Sequence, residues 1–211
     1  MGELKNKSLV VLGDSLFRGN RLDVECTWPN LLAQKENMTV WNYGINGNTL
    51  AYVPEHSEPM CRRFRAMVPQ TDYMVLLGGA NDKRLNVPLG EDGNHDETTF
   101  TGALRILAEG LTEMYPKARI LFMTSYDRRR KPNALGLRDI DYADAMLKVA
   151  AEYSIPCFDN YRSCGLNFHN PAQQVWMDEG RAMGEEKPNY HFSAEAYQWL
   201  LPKYEQLLRS L

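Results

Sequence analysis

What this sequence has little of sets the first bounds. No stretch approaches the ~18 consecutive apolar residues that a membrane-spanning helix requires. The opening Met1-Gly2-Glu3-Leu4-Lys5-Asn6-Lys7 also lacks the apolar core of a secretion signal. The expectation is a soluble protein, either cytoplasmic or secreted after removal of a leader that this sequence does not contain. An excess of positive charge is missing too: 24 Lys and Arg stand against 27 Asp and Glu, a formal net charge of -3. That balance provides no general basic field for a phosphate backbone, so no nucleic-acid partner is expected. Cysteine is scarce, and Cys26, Cys61, Cys157 and Cys164 show no zinc-knuckle spacing. A structural metal is therefore not expected, and buried thiols fit a chain of this length better than disulfides do. Repeats and low-complexity tracts are absent, and 211 residues with 44% hydrophobic content suit a single domain spanning 1–211. Histidine occurs at only four positions, which leaves few places for a catalytic base.

What is present is an alternation of strand-like and helix-like patterns. Leu9-Val10-Val11-Leu12 is a continuous apolar run and reads as a strand buried on both faces, followed at once by Gly13-Asp14-Ser15. Thr27 caps a helix with Pro29 in its first turn, and Met38 to Tyr43 is a second strand. Ser57 to Val68 reads as a helix, Tyr73 to Leu77 as a third strand, and Lys83 to Glu97 as a long surface loop beside the site. A helix over Thr98 to Tyr115, stopped by Pro116, leads to a fourth strand over Arg119 to Thr124. A helix from about Leu137 to Tyr153, a short strand over Ile155 to Phe158, and an amphipathic helix over Ser193 to Leu208 complete the chain. Alternation of this kind predicts an α/β fold with a parallel sheet wrapped by helices.

In such a sheet the polar turns after the strands share one rim, where ligands bind. Ser15 stands there as a candidate nucleophile. A serine needs a base to take its proton and donors to hold the oxyanion. His56, His95 and His169 lie in polar loop-like surroundings, whereas His191 stands just before the last helix and can reach the rim, which makes it the best base. Arg128-Arg129-Arg130-Lys131 follows the fourth strand and so also falls on this rim. Such a run is either a solvated loop or a local field that draws an acidic, phosphate-bearing or uronic-acid-decorated substrate to the site.

Three blocks in order resemble those of the SGNH (GDSL) serine esterases and lipases. They are Gly13-Asp14-Ser15-Leu16, Asn42 through Thr49, and Gly79-Ala80-Asn81-Asp82, with Trp28-Pro29 resembling small lysophospholipase and thioesterase members. The resemblance spans nearly the whole chain and implies a flavodoxin-like three-layer α/β/α sandwich with a five-stranded parallel sheet. It implies ester hydrolysis through an acyl-enzyme on Ser15, without a cofactor. The oxyanion hole would comprise the backbone N–H of Ser15, the backbone N–H of Gly47 and the side-chain amide of Asn81, with Gly44 the poorer candidate of the two glycines. The last block departs from the family's Asp-x-x-His, because Pro188-Asn189-Tyr190-His191 has no acid. Either Asp178 supplies it across an insertion from Arg181 to Asn189, or the site runs as a dyad with Asn189 or a backbone carbonyl orienting His191. The implied substrates are small-molecule, lipid or glycan esters. The competing reading is a carbohydrate- or lipid-binding module that keeps the fold without turnover.

Overall fold

Along the first strand the side chains alternate between two apolar environments. Leu9 and Val11 enter one buried cluster, and Val10 and Leu12 enter the other. A strand hydrophobic on both faces has to be covered on both, and helices provide the cover. The computed structural model describes residues 3–128, 130–167, 169–178 and 190–211. In chain order the elements are β1 (Ser8–Gly13), α1 (Ser15–Arg18), α2 (Trp28–Glu36), β2 (Thr39–Gly44), α3 (Met60–Arg63), β3 (Tyr73–Gly78) and α4 (Ala80–Arg84). They continue with α5 (Phe100–Met114), β4 (Arg119–Thr124), α6 (Asp139–Glu152), β5 (Cys157–Phe158), α7 (Asn160–Ser163), α8 (Pro171–Gln174) and α9 (Ala194–Ser210).

The five strands pair in the order β2-β1-β3-β4-β5, all in parallel. Met60 of α3, Phe100 to Leu111 of α5 and Tyr142 to Ala150 of α6 cover the Val10 and Leu12 face. Leu16 and Phe17 of α1, Trp28 and Leu32 of α2, and Tyr197 to Leu208 of α9 cover the other. The result is the three-layer α/β/α sandwich. Between β1 and β3 the strand order reverses, and the crevice at their carboxyl ends is where such sheets take ligands. Ser15 follows β1 and Asn81 follows β3, so both stand at that crevice.

Two elements depart from the pattern read in the sequence. The helix expected over Ser57 to Val68 is only one α-turn, Met60–Arg63, continued as a 3-10 turn over Phe64–Ala66. Pro59 at its N-cap has ψ 161°, an extended backbone that closes the helix upstream. The loop expected from Lys83 begins later, because α4 takes in Lys83 and Arg84. Its remainder is tied down by the buried guanidinium of Arg105, which donates to Glu91 O and Asn94 O at 3.2 Å each and pairs with Glu152 at 2.8 Å. All four cysteines carry free thiols. Among the described residues no helix is long and apolar enough to cross a membrane.

Candidate active site

The turn from β1 into α1 holds Ser15 by local capping. Asp14 is the N-cap, and its Oδ1 accepts from the backbone N–H of Leu16 at 2.9 Å. Burial raises the pKa of Asp14 above the usual carboxylate range, against the lowering influence of Arg128. The loop after β2 is fitted to the same turn. Asn42 donates through Nδ2 to Phe17 O at 2.8 Å and accepts through Oδ1 from Gly44 N at 2.9 Å. A Cβ on Gly44 would sit 2.5 Å from Arg18 N and 2.8 Å from Phe17 C, so only glycine allows this approach of β2 to α1. Gly44 thus shapes the loop, and Gly47, with φ +77°, is the glycine that lines the cavity beside Ser15.

Arg63 ties these pieces together. Its Nη2 donates to Gly13 O at 3.1 Å and Tyr43 O at 2.8 Å, and its Nε donates to Asn48 Oδ1 at 2.8 Å. Asn48 O in turn accepts from Asn81 Nδ2 at 3.1 Å, and the same amide nitrogen lies 3.3 Å from Asp14 Oδ2. Asn81 Oδ1 accepts from Arg84 Nε at 3.3 Å. The neighbouring Asp82 is fully buried and accepts from Leu50 N and Ala51 N at 3.1 and 2.9 Å. Those bonds fix the far end of the Gly47 loop, yet burial still pushes the carboxyl of Asp82 up to about 6.

His191 is held from several sides. Tyr126 donates its hydroxyl to the carbonyl of Tyr190 and stacks on Phe192 at 4.4 Å between centroids. Tyr197 packs edge-on against Phe192 and donates to Leu16 O at 2.9 Å, linking α9 to the helix that carries Ser15. In this grip His191 Nε2 lies 2.8 Å from Ser15 Oγ. Asp178 is buried immediately after the 3-10 turn Val175–Met177. The carbonyl of Trp176 accepts from Ser193 N at 2.9 Å, which sets the Asp178 segment alongside the His191 segment. Two other histidines are engaged elsewhere: His56 Nε2 is 2.9 Å from Gly47 O, and His95 is paired with Glu109 at 2.8 Å.

Ser15, Asn20, Gly47, Asn81, Arg84, Arg128, Arg130 and His191 line one cavity of about 210 Å³. The sequence reading named six of these eight residues. It missed Asn20 and Arg84, although Arg84 is three residues after Asn81 on the same helix and therefore shares its face. Arg63, Tyr126 and Tyr197 were also missed, and their roles rest on contacts between remote segments. Arg129 and Asn189 lie outside the described residues. No group of three or more His, Cys, Asp or Glu suited to a metal ion occurs among the described residues.

A parallel α/β/α sandwich carrying this cavity at its switch point, together with a family match over most of the chain, defines an esterase-type hydrolase. The sequence model of the GDSL-like Lipase/Acylhydrolase family matches residues 11–199, and the chain belongs to that family. No curated protein matches it significantly. A protein from Lactobacillus plantarum of known crystal structure is 28% identical, with a TM-score of 0.84 over 98% of each chain. The psychrotrophic esterase EstA from Pseudoalteromonas sp. shares the fold at 15% identity, with a TM-score of 0.67 over 97% of each chain. A Corynascus carbohydrate esterase family 2 enzyme with a carbohydrate-binding domain shares it at 14% identity and a TM-score of 0.65, covering 100% of this chain and 68% of that one.

Proposed function

We propose that residues 1–211 act as one hydrolase domain that cleaves carboxylic esters through an acyl-enzyme on Ser15. The observation that carries this reading is the 2.8 Å contact between Ser15 Oγ and His191 Nε2 in a cavity that Gly47 and Asn81 also line. Ser15 Oγ attacks the ester carbonyl while His191 Nε2 takes its proton, giving a tetrahedral oxyanion. That charge is received by the N–H groups of Ser15 and Gly47 and by the Asn81 amide, neutral donors that need no metal. For Asn81 to donate, the 3.3 Å approach to Asp14 is the weaker bond and the one to exchange. The oxyanion collapses, the C–O bond to the alcohol breaks, and His191 returns the proton to the leaving oxygen. Water, deprotonated by the same imidazole, then hydrolyses the acyl-Ser15 ester.

Asp178 is the proposed orienting acid. Its support is its burial and the Ser193 to Trp176 bond that brings its segment to His191. A carboxylate in that role fixes the tautomer that leaves Nε2 free and stabilises the imidazolium formed during attack.

The Pseudoalteromonas esterase has a structure inhibited by monoethylphosphonate. A phosphonate serine probe, followed by peptide mass mapping, tests the reading here directly. Modification at Ser15 together with hydrolysis of p-nitrophenyl acetate is the expected result. Ser15→Ala should lower turnover by about three orders of magnitude or more without a matching loss of thermal stability. No label and no turnover would leave a non-catalytic binding module.

A further inference from the structure

Three guanidinium groups, those of Arg84, Arg128 and Arg130, line the cavity with Ser15 and His191, and no acidic side chain is among its described lining residues. Arg128 is the unusual one. Only 3% of it is exposed, and its Nε and Nη2 are buried without a hydrogen-bond partner among the described residues. A guanidinium desolvated to this degree is costly unless its N–H groups meet acceptors, and the planar fork of a guanidinium matches the paired oxygens of a carboxylate or phosphate. Its guanidinium lies 5.2 Å from the centre of the Tyr126 ring, and a ring face offers no acceptor equal to an oxyanion. Arg130 lies over the Tyr190 ring at 5.0 Å, and both burial and the charge of Arg128 lower its pKa. Like charges held together in this way have a shared need for an anion between them.

The loop that carries these residues is built in place. Lys83 Nζ donates to Lys131 O at 2.5 Å, Asn133 Nδ2 donates to Lys83 O at 3.1 Å, and Ala134 N donates to Asn86 Oδ1 at 2.8 Å. The loop is therefore docked on α4, the helix that also carries Asn81 and Arg84. Asp139, 3.8 Å from Lys83, faces the base of the loop and also feels the charges of Arg128 and Arg130, so it offsets part of their charge while leaving Nε and Nη2 of Arg128 without a hydrogen-bond partner among the described residues.

The geometry points to an oxyanion subsite beside the nucleophile, formed by Arg128 with Arg130 and Arg84, that selects esters bearing a carboxylate or phosphate group. This rests on the esterase reading above and specifies its substrate class. At about 210 Å³ the cavity takes a small acyl group and an anionic substituent close to the scissile bond. Arg128 would act as a specificity residue, fixing the substrate by a bidentate contact while Ser15 attacks.

The test uses matched ester pairs at low ionic strength. Mono-p-nitrophenyl succinate against p-nitrophenyl acetate places a carboxylate on the acyl side. O-acetylated methyl glucuronoside against O-acetylated methyl glucoside places it on the alcohol side, and acetylated glucose 6-phosphate supplies a phosphate there. We expect at least one anionic member to be preferred by roughly ten- to a hundredfold in kcat/KM, the range of one charge-assisted hydrogen bond. In Arg128→Gln that ratio should fall toward one, whatever happens to the absolute rate on the neutral ester. In parallel, inorganic phosphate and glucuronate should bind the wild type by calorimetry and bind Arg128→Gln at least tenfold more weakly. Should Arg128→Gln fail to fold, the exposed Arg84 and half-buried Arg130 changed together to Gln should reduce the same ratio and the same binding.

Hydrolysis of neutral and anionic esters at equal kcat/KM would overturn the subsite and leave the esterase reading intact. A preference that survives the arginine substitutions would overturn it as well. If no ester turns over and Ser15 is not labelled, the esterase reading falls, and the anion-binding measurement alone decides whether the subsite exists.

Discussion

At the scale of single residues, the most informative contact after the Ser15–His191 pair is the one Asn81 makes with its own protein. Its amide nitrogen faces Asn48 O and Asp14 Oδ2, and its oxygen faces Arg84 Nε. The side chain is therefore fixed before substrate arrives, as an oxyanion donor has to be. Asn81→Ala should cost about 3 kcal/mol in transition-state stabilisation, read as a fall in kcat with little change in KM. A rise in KM at constant kcat would make Asn81 a binding residue instead. Asp178 separates two mechanisms. If it orients the imidazole, Asp178→Asn should lower kcat by roughly three to four orders of magnitude through the wrong tautomer, and a dyad should lose far less. Steady-state rates on p-nitrophenyl acetate distinguish the two, provided the variant's melting temperature shows it folded.

At the scale of elements, the placement of Ser15, the proposed nucleophile, depends on how tightly β2 is drawn against α1. A methyl group on Gly44 would collide with backbone atoms of Phe17 and Arg18, at 2.8 and 2.5 Å, and backbone cannot yield as a flexible side chain can. Gly44→Ala should thus displace α1 with Ser15 on it. The expected signature is a loss of about 1 to 3 kcal/mol in stability together with a fall in kcat. Unchanged unfolding and unchanged kcat would show that the approach is not needed. This element also shows what the sequence could and could not convey. The five strands and the Asn42 to Thr49 block were legible because period, turn chemistry and order are local properties. The one-turn reduction of the Ser57 to Val68 helix was not, since apolar residues at helical spacing do not reveal that Pro59 is extended and that the chain leaves the helix again by Met67. Arg63 reads in sequence as one basic residue among several near Arg62 and Arg65, yet in space it joins Gly13, Tyr43 and Asn48. The grip of Tyr126 and Tyr197 on the His191 segment joins positions 64 and 181 residues apart, a relation that no local pattern carries.

At the scale of the whole molecule, the ionisable groups divide into two sets whose effects on stability run in opposite directions with pH. Surface carboxylates such as Asp92 beside Lys148 and Glu97 beside Arg62 have lowered pKa values, so their stabilisation is present above the unfolded pKa and is lost as pH falls through the folded one. Their exposure keeps each contribution small. Asp82 belongs to the other set. Its folded pKa is raised from 3.8 to about 6 by burial, so between these values the native state binds a proton that the unfolded chain has released. The contribution of Asp82 is complete below 3.8 and is lost as pH rises to about 6, leaving above that a charged carboxylate buried at the hinge of the Gly47 loop. Asp14, raised by burial as well, acts in the same direction. Asp82→Asn keeps the shape and removes the titration. The stability of wild type relative to Asp82→Asn should therefore fall by roughly 2 kcal/mol between pH 4 and pH 7, measured by urea unfolding of both proteins at each pH. The surface carboxylates are common to both proteins and cancel in that difference. A difference independent of pH would show that Asp82 releases its proton at the same pH in both states, because its bonds from Leu50 and Ala51 then compensate the burial in full.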